Sequence, residues 1–236
     1  KWLAKDSRFK YYYKKNGGLS SARNYGLDKS IGEFIQLLDC DDYLEKNKFK
    51  NQANQFNDSI DIYIAGYRYF EDSEGIKNKR ILGRNNFLPE VCLLPDDKKD
   101  IKLLFKNKNP FVVSAPLFRK SVFDIVGVFN ENLTSLEDWE FNFRCALHDM
   151  VFKHTGYNKE DKVLIRLHDN SMMRNQLNME KNSATFKAVF RKNKMFIDHF
   201  GTTEYLSKNN FNYKEKIALF IPPIFFILKN KLNEKK

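Results

Sequence analysis

Asp39, Asp41 and Asp42 put three carboxylates within four residues, at the end of the apolar run Phe34-Ile35-Gln36-Leu37-Leu38. Carboxylates this close repel one another, so a hard divalent cation, a basic partner or full solvent exposure must offset them. A buried strand that ends in such a turn would deliver it to the crevice where open α/β sheets bind their ligands. The same residues also suit an ordinary turn, with Asp41-Asp42 capping the helix that follows. Cys40, between them, reads as a small buried residue, since thiolate matches a hard cation poorly. A second acidic pair, Glu137-Asp138, opens an amphipathic segment at Leu136 to Leu147, where a helix dipole favours negative charge. His168 follows a β-rich run and precedes a polar loop holding Ser171 and Arg174, a context that His148, His154 and His199 lack.

The elements that must position these groups follow from periodicity. Phe9 to Lys15 is a short aromatic strand candidate, and Asn16-Gly17-Gly18 turns the chain. A helix capped by Ser20 or Ser21 runs to about Ser30, with Gly32 just beyond it. The strand Glu33 to Leu38 then delivers the acidic cluster, completing a strand, turn, helix, strand unit of a mostly parallel sheet. Further expectations are a helix over Glu45 to Asn57, an alternating strand over Asp61 to Phe70, and a strand return at Ile76 to Leu82. A short helix is expected near 97 to 106, then a strand Phe111 to Ala115 ended by Pro116 and a helix Leu117 to Val126 closed by Gly127. Val151 to His154 and Val163 to Leu167 read as strands, and Gln176 to His199 as one basic helix.

Composition narrows the partners. The 236 residues carry 41 Lys plus Arg against 30 Asp plus Glu, a formal charge of +11, which favours polyanionic ligands or an anionic membrane face. Nucleic acid is not expected, because helix-turn-helix, zinc-finger and RNA-binding patterns are missing. Cys40, Cys92 and Cys145 are too scattered for a disulfide framework or a metal cluster. The first residues do not read as a signal peptide, and Ile217 to Leu228, broken by Pro222-Pro223, is too short to span a bilayer. From Asn212 onward the chain turns apolar between basic flanks, which suits a membrane interface or a helix pair packed on the core.

Taken together, Gly18-Leu19-Ser20-Ser21-Ala22-Arg23-Asn24, Gly26-Leu27, Gly32-Glu33-Phe34-Ile35 and Leu38-Asp39-Cys40-Asp41-Asp42 closely resemble the central signature of family 2 glycosyltransferases. Leu136-Glu137-Asp138-Trp139 resembles that family's acidic base motif, and His168-Asp169-Asn170-Ser171-Met172-Met173-Arg174 its later active-site loop. The resemblance spans roughly residues 1 to 175 in family order. It implies the GT-A fold, an α/β domain with a mixed, mostly parallel sheet flanked by helices. Residues 1–200 would form that domain, and 201–236 a C-terminal helical segment. One departure stands out: 17 residues precede Gly18, fewer than the family's first strands and nucleobase-holding loop require, so those elements are expected to be missing.

The resemblance also implies roles. Asp138 would be the general base that deprotonates an acceptor hydroxyl, with Glu137 orienting its loop. An ordinary Asp ionises near about 3.9, so geometry and partial desolvation must help it. Asp39 and Asp41 would be the acids of the Asp-x-Asp motif, Asp41 on Mn²⁺ or Mg²⁺ and Asp39 on donor ribose or sugar hydroxyls. His168 would be a third metal ligand or a diphosphate contact, and Arg174, or more weakly Arg166, would neutralise the leaving phosphates. Arg23 either clamps a phosphate or pairs with an Asp of the cluster, and Asn24 either contacts the donor or fixes the loop. Trp139 either offers its face to an acceptor sugar or anchors the core. The activity implied is inverting transfer of a hexose or N-acetylhexosamine from a nucleotide sugar, UDP-linked by expectation, to a saccharide or lipid-linked acceptor in bacterial surface glycan synthesis. The protein would sit peripherally at the cytoplasmic face of the membrane. A nucleotidyltransferase, or a non-catalytic membrane-associated scaffold, are the competing readings.

Overall fold

The computed structural model describes residues 3–72, 79–81, 94–155, 162–167 and 176–201. His168, Arg174, the apolar stretch from Asn212 and residues 82–93, Cys92 among them, lie outside these ranges. The first helix, α1 (Leu19–Lys29), starts from Gly18, whose φ of 89° is a left-handed conformation that glycine adopts without strain. Gly18 therefore takes the cap position expected of a serine, and Ser20 and Ser21 are buried in the first turn. Ser20, Arg23, Asn24 and Leu27 share one face of α1 at helical spacing.

Strand β1 (Phe34–Gln36) follows and pairs antiparallel with β6 (Pro116–Arg119), which in turn pairs antiparallel with β3 (Ile62–Ile64). Adding β7 (Phe152–His154), parallel to β3, gives the order β1-β6-β3-β7. A second sheet has the order β2-β8-β4-β5, built from β2 (Tyr43–Leu44), β8 (Val163–Arg166), β4 (Tyr67–Asp72) and β5 (Lys79–Ile81). The remaining helices are α2 (Lys48–Ala53), α3 (Lys98–Asn107), α4 (Ser121–Val126), α5 (Glu137–Leu147), α6 (Gln176–Arg191) and α7 (Lys194–Phe200).

The α/β class with a mixed sheet flanked by helices is as expected, but among the described residues antiparallel pairings outnumber parallel ones. Among the described residues, β3 with β7 and β4 with β8 are parallel, and the other pairings are antiparallel. Several boundaries also move. Phe9 to Lys15 is an irregular exposed segment, not a strand, with Tyr11 and Tyr13 open to solvent. The single strand expected over 61 to 70 divides at Ala65-Gly66, where the chain passes from one sheet to the other: Ala65 N–H bonds the Ala115 carbonyl and Val163 N–H the Gly66 carbonyl. Pro116 begins β6 instead of ending a strand, a position where its missing N–H does no harm, and Leu117 and Phe118 are strand residues instead of helical ones. The long basic helix breaks at Asn193, whose side chain accepts from Phe196 N–H at 3.0 Å and caps α7.

The core lies between the first sheet and the helices. Phe118, Phe123, Phe129 and Phe141 form one aromatic group, Phe123 and Phe141 stacked at 5.0 Å between ring centres. Phe143, Phe190, Phe196 and Phe200 join α5 to α6 and α7. This packing fixes α5, and with it the acidic pair at its start.

Candidate active site

The acidic turn begins three residues after the last residue of β1, and Asp42 N–H closes it on the Asp39 carbonyl at 3.1 Å. Asp42 does not cap α2, whose cap position is Asn47. Its carboxylate turns inward, accepting from Ser114 Oγ at 3.0 Å and from Arg166 N–H at 3.2 Å. Burial pushes its pKa up to about 7, against those two hydrogen bonds and with help from the charges of Asp39 and Asp41. Arg166 lies along the same turn, donating from Nε to the Asp41 carbonyl at 3.2 Å and from Nη2 to the Tyr43 hydroxyl at 2.7 Å. Cys40 is exposed, not buried as its size suggested, because the turn points it outward.

Arg23 connects this turn to the second acidic pair. Its Nη2 meets Asp39 Oδ1 at 3.0 Å, and its Nη1 bonds Glu137 Oε1. The guanidinium side chain is 9% exposed and that of Glu137 7%, whereas Asp39 remains 40% exposed. Burial works against the charge on Arg23, but Asp39, Glu137 and Asp138 hold its pKa above the ordinary value. Of the two roles open to Arg23, the structure realises the ion pair with the cluster.

Glu137 and Asp138 begin α5 after Leu136, whose φ of 62° is a left-handed conformation uncommon for a residue with a branched side chain. Strain of this kind is held in place by surroundings, here the Glu137 to Arg23 bond and the buried helix behind it. Asp138 is half-buried and ringed by protein: Asn109 Nδ2 donates to Oδ2 at 2.9 Å, and Trp139 N–H to Oδ1 at 2.8 Å. Burial, then the Glu137 charge, raises its pKa to about 6, against the pull of Arg23 and the two hydrogen bonds. Such a carboxyl is ionised at neutral pH yet basic enough to take a proton.

Two expected contacts resolve toward the structural alternative. Trp139 is buried, its Nε1–H donating to the Phe105 carbonyl at 2.6 Å and its ring lying 4.5 Å from that of Phe186. Its ring is thus packed as a core anchor in this structure. Asn24 gives both ends of its amide to the loop after α4, accepting from Phe129 N–H and donating to the Phe129 carbonyl, each at 2.9 Å. It fixes that loop against α1. Asn109 and Ser114, which the sequence did not single out, contact the acidic groups directly; short polar residues in loops carry no pattern that marks them.

A cleft of about 370 Å³ runs along β1 and ends on Arg23 and Asp39, with Leu27, Ile35 and Leu37 in its walls. Among the described residues no three His, Cys, Asp or Glu side chains converge as a metal cage. A cation bound through one or two carboxylates plus substrate phosphates does not need one, and the partly exposed, oxygen-only pair Asp39 and Asp41 fits that mode.

Residues 1–126 match the model for glycosyl transferase family 2. The chain belongs to this family. Relatives include an uncharacterized glycosyltransferase of Rickettsia conorii, 28% identical over 70% of this chain and 25% of its own length. The putative glycosyltransferase EpsH of Bacillus subtilis is 25% identical over 92% of this chain and 58% of its own. The minor teichoic acid biosynthesis protein GgaB of the same organism is 42% identical over 29% of this chain and 8% of its own. The chain thus spans from about a quarter to somewhat over half of the first two relatives. Among solved structures, S. aureus TarS in complex with UDP-GlcNAc matches 88% of this chain and 52% of its own at 18% identity, with a TM-score of 0.48. A likeness that distant carries no argument about donor or acceptor.

Proposed function

We propose that this protein transfers a hexose or N-acetylhexosamine from a nucleotide sugar, UDP-linked, to a saccharide or lipid-linked acceptor in surface glycan synthesis, with inversion at the anomeric carbon. The observation that carries the reading is the Arg23 guanidinium held between Asp39 and Glu137, which ties the acidic turn to the start of α5. Transfer requires that leaving diphosphate and acceptor hydroxyl be handled at one place, and one buried cation joins the candidate groups for both tasks. The family membership and the glycan-polymer name of the GgaB relative support the same substrate class.

Asp138 takes the acceptor proton. Asn109 and the Trp139 N–H hold both of its oxygens, which fixes the direction in which the carboxylate accepts. Glu137 spends its charge on Arg23, so it orients the pair instead of competing as a base. Attack by the deprotonated hydroxyl opposite the leaving group inverts the centre, whereas double displacement needs a second carboxylate as nucleophile. A bound Mn²⁺ or Mg²⁺ supplies charge neutralisation to the leaving diphosphate. Asp41 and Asp39 would hold it, with His168 as a third ligand and Arg174 on the phosphates. A lipid-linked acceptor would bring the basic protein to the anionic cytoplasmic face of the membrane as a peripheral component.

Labelled UDP-sugars offered with a glycan panel, with and without Mn²⁺, test this. Metal-dependent transfer that is lost in Asp41→Asn is expected. Pyrophosphate exchange without sugar transfer would overturn it.

A further inference from the structure

Lys48 is fully buried near the start of α2, and no described carboxylate reaches it. Its ammonium donates instead to two side-chain amide oxygens, Gln36 Oε1 and Gln52 Oε1, the latter at 3.1 Å. A buried ammonium held only by neutral oxygens is costly, and its pKa is drawn down to about 7 by burial. What the contact achieves lies one step further on. With Oε1 engaged by Lys48, the Gln36 amide must aim Nε2 the other way, onto the Ser114 carbonyl at 2.9 Å and the Leu37 carbonyl at 2.5 Å. Ser114, itself fully buried, donates from Oγ to Asp42 Oδ2 at 3.0 Å. A continuous polar chain therefore runs from Lys48 beneath the sheet to the turn that carries Asp39 and Asp41.

We propose that Lys48, acting through Gln36 and Ser114, is a positioning residue that holds the acidic turn 39–42 in the conformation that receives the donor diphosphate. Lys48 touches no substrate. Its contribution is to anchor the far end of the Gln36 amide whose Nε2 holds the Ser114 carbonyl, and a hydrogen-bonded chain of this kind rigidifies a site only while every member is satisfied. Without the ammonium, Gln36 Oε1 is left buried without its donor and the amide is held from the carbonyl side only, so Gln36 can shift, Ser114 loses its fixed neighbour, and the turn gains alternative arrangements. The proposal rests on the donor-site reading above only for what the turn binds, not for what holds it.

The test uses Lys48→Met and Gln36→Leu, the second of which breaks the chain without removing the cation. Amide hydrogen exchange reads the positioning directly. The Asp42 N–H, bonded to the Asp39 carbonyl, should exchange about tenfold faster in both variants while the amides of α5 are unchanged. Calorimetric titration with UDP and Mn²⁺ reads the consequence. The Kd should rise about tenfold in Lys48→Met, with Ser114→Ala adding less than threefold on top, since residues acting through one chain are not additive. Unchanged Asp42 exchange, or effects of Lys48→Met and Ser114→Ala that multiply, would overturn the proposal. Should the unaltered protein fail to bind UDP with Mn²⁺, the donor reading falls, and the exchange result still decides the role of Lys48.

Discussion

Replacing Arg23 with methionine removes the cation that joins Asp39 to Glu137 while keeping most of its volume. Its two arms are unequal. The Glu137 arm is buried on both sides, and breaking such a pair leaves an uncompensated buried charge, which costs about 3–5 kcal/mol. The Asp39 arm ends on a carboxylate that is 40% exposed, so solvent screens it and its share is at most about 1 kcal/mol. At about 2–4 °C per kcal/mol for a chain of this size, the Glu137 arm alone predicts a fall in Tm of about 6–20 °C. Calorimetry or urea melts read this directly. Adding Glu137→Gln to Arg23→Met should recover much of the loss, because the stranded charge is gone. Asp138 provides a second readout in Arg23→Met: losing the cation that opposes its upward shift should move its pKa above about 6. A loss under about 1 kcal/mol, or no recovery in the double variant, would refute the claim that this guanidinium organises the site.

Other outcomes follow from single contacts. With Asp138 as base, kcat/KM should climb through about pH 6 to a plateau, and a profile flat from pH 5 to 8 would remove that role. Folding lifts the same carboxyl from 3.8 to about 6, so the folded chain holds that proton more tightly and stability falls as pH rises across that window. Asp138→Asn removes this pH-dependent cost but sets an amide N–H against the Asn109 or Trp139 donor, so the Tm deficit of the variant against the parent protein should shrink between about pH 5 and pH 8. Trp139→Phe should cost about 1–3 kcal/mol by orphaning the Phe105 carbonyl while leaving acceptor KM unchanged; a raised KM at normal Tm would return the ring to the acceptor site. Asn24→Ala should loosen the loop after Gly127, seen as faster exchange of the Phe129 amide, at a cost of about 1–3 kcal/mol.

Much of the candidate site was legible because its acidic groups sit at element boundaries that sequence marks well. The apolar run before Asp39 and the helical period after Leu136 locate both carboxylate groups, and the glycines before α1 locate Arg23. The remainder depends on contacts between distant segments. Nothing local distinguishes Ser114 or Asn109 from other loop residues, and their importance arises because β6 and α3 bring them under Asp42 and Asp138. The strand boundaries failed for a similar reason. Phe111 to Ala115 has strand composition, but pairing of Leu117 and Phe118 between β1 and β3 places the strand from Pro116 onward. Trp139 has two open roles in the sequence, and its core packing comes from Phe186 on α6 and the Phe105 carbonyl, both distant in the chain.

The central claim is that Asp138 removes the acceptor proton at a donor site organised by Arg23. Asp138→Asn, compared with the parent protein in UDP-sugar transfer and in UDP binding with Mn²⁺, tests it most directly. The account predicts turnover reduced by about 10²–10⁴-fold with donor Kd within about threefold of the parent. Undiminished turnover, or a loss fully explained by weaker donor binding, would contradict it.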